Sequence, residues 1–338
     1  MGPDNLRKIM HPERFQGSKS RRNYFEGWYY KLVDAAEEHV LAIIPGISLG
    51  STKRDSHAFI QVFNGTTGDY DYFTFPVDEF LPAARAFDLR IAANHFSDSA
   101  LRLDLARGSG HRITGELWFD KVVPYPKRLF APGIMGWASF VPFMQCKHDM
   151  VSMTHTIHGA LTLDAERISF EGGKGYIEKD WGSSFPSAYL WMQANHFTTE
   201  DTAFMLVLAR IPWLRLIIPG FAAVLWHDKR YYRFATYTGA RITRFEKGAQ
   251  WVRLSLEDRH FYLDLEGLQG TVVALRSPHA GSMTGRISES LASTLKLRLY
   301  AKRGTGDQLL LEAEGRHAGL EIMDDADELQ RMLTKKRG

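Results

Sequence analysis

Between residues 174 and 197 the chain reads KGYIEKDWGSSFPSAYLWMQANHF, two aromatic-rich runs joined by a Gly-Ser-Ser-Phe-Pro turn. Extended backbone sends alternate side chains to opposite faces. Tyr176, Glu178 and Asp180 therefore share one face of the first run, and Trp191, Gln193, Asn195 and Phe197 one face of the second. Two carboxyl groups held close together repel each other's charge, which favours retention of a proton on one of them at neutral pH. A carboxylic acid kept neutral by burial is what general-acid chemistry on a weak base requires. The bland alternative is an ion-paired strand end in which Lys179 offsets its acidic neighbours.

The elements that must position these groups are strands. Short runs rich in Val, Ile, Tyr, Phe and Trp recur between turn signals, from FEGWYYKLVD, HVLAIIP and HAFIQVF to YYRFATY, WVRLSLE, FYLDLEG and TLKLRLYAK. Sustained helical spacing is scarce and predicts helix only near residues 282–292 and 324–334. The reading is all-β, with antiparallel β-barrel or sandwich domains and minor helix. A length of 338 residues favours two domains. FEGWYYKLVDAAEEHVLAIIP and AYLWMQANHFTTEDTAFMLVLARIP share an order of aromatic strand, acidic turn, aliphatic strand and Ile-Pro. That faint repeat places a boundary at Phe185-Pro186, giving domains 1–185 and 186–338.

Composition narrows the function classes. A formal net charge of +3 and 24% charged residues imply no polyanionic partner, so nucleic acid is not expected. Cys146 is the only cysteine, which rules out a disulfide within the chain and makes a cytoplasmic setting the default. The first 23 residues lack the apolar run of a secretory signal and read as a lead-in arm. The apolar run 209–226 is interrupted by Arg210, Pro212, Arg215 and Pro219, against a spanning helix. Residues 124–146, apolar and punctuated by Pro and Gly, have Lys121, Lys127, Arg128 and Lys147 around them. They read either as an inter-domain connection or as a lid making transient contact with a membrane surface.

Further side chains enter by face. His155 lies on the mainly apolar face of its strand, where it either orients a phenol or stands as a core histidine. His148, His155 and His158 lack the common face and spacing of a metal site, so no metal is expected. In the N-terminal motif, Glu26, Trp28 and Tyr30 share one face and Tyr29 and Lys31 the other. Trp28 reads as a ligand wall or a packing plug, and the Gln193 and Asn195 amides as partners of a ligand oxygen or of buried backbone. Gly46-Ile47-Ser48-Leu49-Gly50 fits the spacing of a nucleophile elbow, but the polar turn and strand that follow it do not supply the helix such an elbow needs.

Taken together, NYFEGWYYK (23–31), PFMQCKHDMVSMTHTIHG (142–159) and GGKGYIEKDWGSSFPSAYLWMQANHF (172–197) resemble the tocopherol cyclase family, particularly its bacterial members, and the similarity extends over nearly the whole chain. The resemblance implies a two-domain lipocalin-like fold, similar to that of carotenoid hydratases, with an apolar ligand cavity. It implies an enzyme that protonates an alkene of a prenylated hydroquinone and lets the phenolic oxygen capture the tertiary cation, with no redox cofactor or metal. Under that reading Glu178 is the leading proton donor, with Asp180 as helper and His155 as an accessory. Trp28, Tyr30 and Trp191 form the aromatic wall, and Gln193 and Asn195 meet the quinol oxygens. Plant members carry Asn where this chain has Asp180, which ranks Asp180 below Glu178. The rival reading is a lipocalin-like carrier that binds a hydrophobic small molecule without turnover.

Overall fold

The computed structural model describes residues 3–106, 111–142, 144–213, 216–304, 306–324 and 327–334. β-Branched and aromatic side chains fit a pleated, half-buried surface, and the chain is 63% strand and 7% helix, so the side chains of any site stand mainly on sheets. It divides into two compact units, Met1–Phe185 with Arg276–Arg286 and Pro186–Leu275 with Ile287–Gly338.

The first unit holds a 12-stranded antiparallel sheet, nearly closed like a barrel. In its middle the strand Gly173–Gly182 lies between Tyr24–Val33 and Cys146–Leu163. That placement makes neighbours of Tyr29, Glu178 and Met150, which are remote in sequence. One face of the sheet turns inward on a core that includes Trp28, Tyr30, Leu32, Ile43, Phe80, Phe87, Phe96 and Ile177. In the second unit an 11-stranded sheet has Tyr189–Ala194 between Thr202–Trp213 and Gln308–Met323. Leu190, Met192, Phe204, Leu206, Leu254 and Leu320 contribute to its separate core.

The apolar run 209–226 folds as a hairpin from Thr202–Trp213 into Leu216–His227; Arg215 lies outside the described residues. No helix among the described residues is long and apolar enough to cross a membrane. The C-terminal helix spans Glu328–Thr334, and a further helix, Pro3–Met10, precedes the first strand. The helix expected near 282–292 is instead part of the 20-residue strand Ser282–Ala301. Met283, Ile287 and Leu291, all buried, recur every four residues. Four is an even number, so the spacing satisfies a strand's period of two as well as a helical face.

Alternation on Gly173–Gly182 sends Lys179 to the inner side, opposite Trp28. There it meets Glu26 at 2.5 Å, both side chains fully buried. Taking two charges out of water costs several kcal/mol each, so the pair persists only with its remaining donors and acceptors satisfied. They are: the Glu26 carboxylate accepts from Gln16 N at 2.7 Å, Gly17 N at 3.0 Å and the Tyr24 hydroxyl. The Lys179 ammonium donates to Pro12 O at 2.7 Å and to Arg14 O, and lies over the rings of Trp28 and Trp181. Trp28 Nε1 adds a bond to Glu13 O at 2.9 Å. Residues 12–17 are thereby strapped to the sheet by one ion pair. Removing one partner strands the other charge, and we expect Lys179→Met or Glu26→Gln each to cost roughly 3–5 kcal/mol. The double variant should cost clearly less than the sum of the two. Equilibrium urea unfolding checks this, and full additivity would show that the charges act independently.

Candidate functional site

On its other face, Gly173–Gly182 presents Tyr176, Glu178 and Asp180, and the antiparallel register supplies their neighbours. Asp180 stands opposite His148, and Glu178 stands between Met150 and Tyr29. The His148 ring bridges the acids, with Nδ1 3.0 Å from Asp180 Oδ1 and Nε2 3.6 Å from Glu178 Oε2. The Tyr176 hydroxyl donates to Glu178 Oε2 at 2.6 Å. Cys146 closes the far end, its Sγ 3.9 Å from Asp180 Oδ1. Glu178 is nearly inaccessible, at 6% side-chain exposure, whereas Asp180 keeps 23%, so the cluster runs from a dry end to a wetter one.

The electrostatics follow from that arrangement. Burial disfavours a charged imidazole, yet Asp180 and Glu178 outweigh it and raise the His148 pKa to about 9. Burial, followed by Glu178, pushes the Tyr176 phenol well above its ordinary range. Burial and then Asp180 do the same for the Cys146 thiol, which stays protonated. His148, Glu178 and Asp180 each offer a ligand atom within 4.8 Å of the others, so they could hold a metal ion. The ring, however, turns one nitrogen toward each carboxylate. Nδ1 is within hydrogen-bond distance of Asp180 and Nε2 lies at ion-pair distance from Glu178, an arrangement that suits an imidazolium between two carboxylates better than three ligands converging on a point.

Trp28 and Tyr30 stand on the opposite face. Their register partners are Lys179 and Ile177, and both are packed into the core. Trp28 stacks on Phe87 with centroids 5.4 Å apart, and Tyr30 donates to Ser97 O at 2.7 Å. The aromatic ring that the register brings beside Glu178 is Tyr29. His155 pairs with Gly175, on the side of Ile177 and Lys179. A Cβ at Gly175 would come 2.1 Å from its Nε2, so that glycine makes room for the ring. His155 Nδ1 is 2.9 Å from Ser152 Oγ and the ring packs 4.3 Å from Phe119; burial lowers its pKa to about 3, so it stays neutral.

Trp191, Gln193 and Asn195 are all buried in the second unit. Among the described residues neither amide atom of Gln193 has a hydrogen-bond partner, an arrangement that costs free energy unless something else meets it. Phe197 departs from the expected face. Ala194 and Phe197 both enter the core although they are three apart, because the strand breaks at Asn195 between Tyr189–Ala194 and His196–Phe197. Ser48 lies within the strand Val40–Leu49, buried, its hydroxyl given to Gly281 O at 2.8 Å, which is not the setting of a nucleophile.

Sequence reasoning missed His148 as a partner of the acids and Glu26 as the partner of Lys179. The first omission turns on cross-strand register, which nothing local in CKHDM encodes. The second was open to inspection, since FEGWYYK offers one acid and EKDWG one lysine between two acids.

Comparison with known proteins agrees with this architecture. The probable chloroplastic tocopherol cyclase of rice, Oryza sativa subsp. japonica, is 26% identical over 200 residues, which cover 55% of this chain and 41% of that protein. The chloroplastic tocopherol cyclase of Zea mays is 25% identical over 199 residues, with the same coverage. The match thus takes in about two-fifths of the length of these curated relatives. Among solved structures, CghA with Sch210972 superposes with a TM-score of 0.54 at 11% identity, and CghA alone with 0.52 at 10%, each covering 88% of both chains. At such identity these two speak to the fold only. The profile of the family described as tocopherol cyclase-like matches residues 118–323, well over half of the sequence and all of the His148–Glu178–Asp180 cluster. The chain belongs to the tocopherol cyclase-like family.

Proposed function

We propose that the protein is an enzyme that closes a ring in a prenylated quinol or a similar lipophilic alkene by acid catalysis, with Glu178 as the proton donor. The observation that carries this reading is the chain of contacts Tyr176–Glu178–His148–Asp180 across two neighbouring strands. With a pKa of about 9 for His148, the cluster holds a proton at neutral pH. Written one way it is an imidazolium between two carboxylates. Written the other way, Nδ1–H still faces Asp180 while the second proton sits on Glu178 Oε2. The two forms have the same proton count, so a proton passed from Nε2 to Oε2, once their 3.6 Å separation shortens to a hydrogen bond, turns Glu178 into a neutral acid without drawing on solvent.

The chemistry then balances internally. Glu178 gives its proton to one alkene carbon, leaving a tertiary cation on the other. The phenolic oxygen of the same molecule bonds to that cation, and its proton returns to the carboxylate. Substrate and product are isomers, no electrons are exchanged, and the acid is regenerated. Water must be kept from the cation, which favours the dry Glu178 end over the wetter Asp180 end. The carrier reading is less well supported, because lipocalin-like carriers hold ligands within the barrel and here the inner face is filled by Trp28, Tyr30, Phe80, Phe87 and Phe96.

Two expectations follow from the cluster. In the folded protein His148 should remain charged through pH 7 and titrate near 9, with Asp180→Asn or Glu178→Gln moving its midpoint down. Carbon-13 labelled histidine NMR reads this directly, and a midpoint below 7 would contradict the assignment. Because the folded pKa of His148 lies above the ordinary 6.5, the stabilisation that this histidine's protonation contributes is in place on the acid side of 6.5, for as long as the carboxylates stay ionised, and is lost as pH rises through 9.

The second expectation concerns turnover. Incubation with a panel of prenylated quinols should give a product of unchanged mass and altered retention, whereas hydration would add one water. Glu178→Gln should retain ligand binding and lose roughly 10²–10⁴ in kcat, and Asp180→Asn should lose less. Cyclisation at the wild-type rate by Glu178→Gln/Asp180→Asn would end the proposal.

A further inference from the structure

The segment between Asp120 and Asp149 contains no acid in its 28 residues, while Lys121, Lys127, Arg128 and Lys147 give it four cations. Within it lie the two most exposed large apolar side chains among the described residues, Leu129 at 69% and Phe130 at 78%, with Trp137 at 56%. Their exposure is built in. Arg128 and Ala131 exchange both backbone hydrogen bonds, at 2.9 and 3.0 Å, so Leu129 and Phe130 form the tip of a tight turn and cannot fold back. Trp137 stands on the short 3-10 helix Gly136–Phe140.

The base of the segment is pinned. Ile134 is buried and its amide donates to Asp149 Oδ1 at 3.0 Å. The fit is close enough that a Cβ at Gly133 would lie 2.0 Å from the same oxygen. Lys147 Nζ donates to Ser139 O at 2.8 Å, and Lys127 pairs with Glu13 at 2.5 Å. The exposed apolar groups are thus held in place beforehand rather than ordered on binding, which removes part of the entropic cost of association.

We propose that this segment docks the protein on an anionic lipid surface, with Leu129 and Phe130 entering the acyl boundary and Trp137 and Arg128 at headgroup level. Aromatic side chains favour that interface, and a run of cations without acids matches a negative leaflet. A protein partner would more often meet an apolar patch rimmed by both charge signs; here Glu13, paired with Lys127, comes from outside the segment, and the segment's own Lys and Arg residues face no acid within its 28 residues. The inference is independent of the ring-closing reaction, since it needs neither Glu178 nor turnover.

The test is co-sedimentation of the full chain with vesicles of phosphatidylcholine alone and of phosphatidylcholine mixed equally with phosphatidylglycerol. The expected result is binding to the mixed vesicles that weakens with salt and is lower on phosphatidylcholine alone. Leu129→Ser/Phe130→Ser should cut the partition coefficient by about tenfold or more, and Arg128→Glu should cut it on the anionic vesicles only. The substituted side chains are largely in water, so folding is not at stake. Equal binding by wild type and Leu129→Ser/Phe130→Ser, or no binding by wild type to either vesicle, overturns the proposal. So does a vesicle-free sedimentation coefficient that falls on Leu129→Ser/Phe130→Ser, which would make a second copy of the chain the occupant.

Discussion

The alternation of side chains along Gly173–Gly182 is the constraint on which the rest depends. Three consecutive charged residues, Glu178, Lys179 and Asp180, are divided by the pleat. Were they on one face, Lys179 would neutralise the acids and the cluster would be an ordinary ion pair. Because they are not, Lys179 is committed to Glu26 on the inner side, and the two carboxylates are left to a histidine from the neighbouring strand. One strand thus carries a charge that holds the N-terminal arm on one face and a pair of carboxylates flanking a histidine on the other. A one-residue slip in register would exchange the two sets.

The inner pair explains why an unusual sheet centre can be tolerated. A fully buried ammonium and carboxylate bring little net stability by themselves, since desolvation opposes their attraction. What they supply is placement: backbone carbonyls of residues 12 and 14 and amides of residues 16 and 17 converge on the two charges, so the N-terminal arm has one position over the sheet. The surrounding core then packs against a fixed lid of chain, as in the edge-on contact of Phe15 with Phe80. Rigidity on that side supports geometry on the other, where Tyr176, Glu178, His148 and Asp180 lie at 2.6 to 3.6 Å from one another in series.

Much of this was legible in the sequence, and the failures have physical causes. Strands, their antiparallel class and the shared face of Tyr176, Glu178 and Asp180 follow from period-two patterning, which is local. His148 was invisible as a partner because its meeting with Asp180 is set by register between strands, and the same pairing shifts register twice further on, between Met150 and His155. Trp28 and Tyr30 illustrate the same limit. Their common face with Glu26 was readable, but whether that face meets Glu178 or Lys179 was not, and the register pairs Trp28 with Lys179. The strand Ser282–Ala301 shows the reverse problem, where local pattern was present but ambiguous, since its four-residue apolar spacing suits either element.

The division of labour along the strand can be measured by hydrogen–deuterium exchange in two variants. If Lys179 serves the arm and the acids serve the cluster, Lys179→Met will lose protection at the amides of residues 13–17. Glu178→Gln/Asp180→Asn will keep wild-type protection there. Loss of protection in both variants, or in neither, would contradict the account, because it would mean that the two faces are not separate in what they hold.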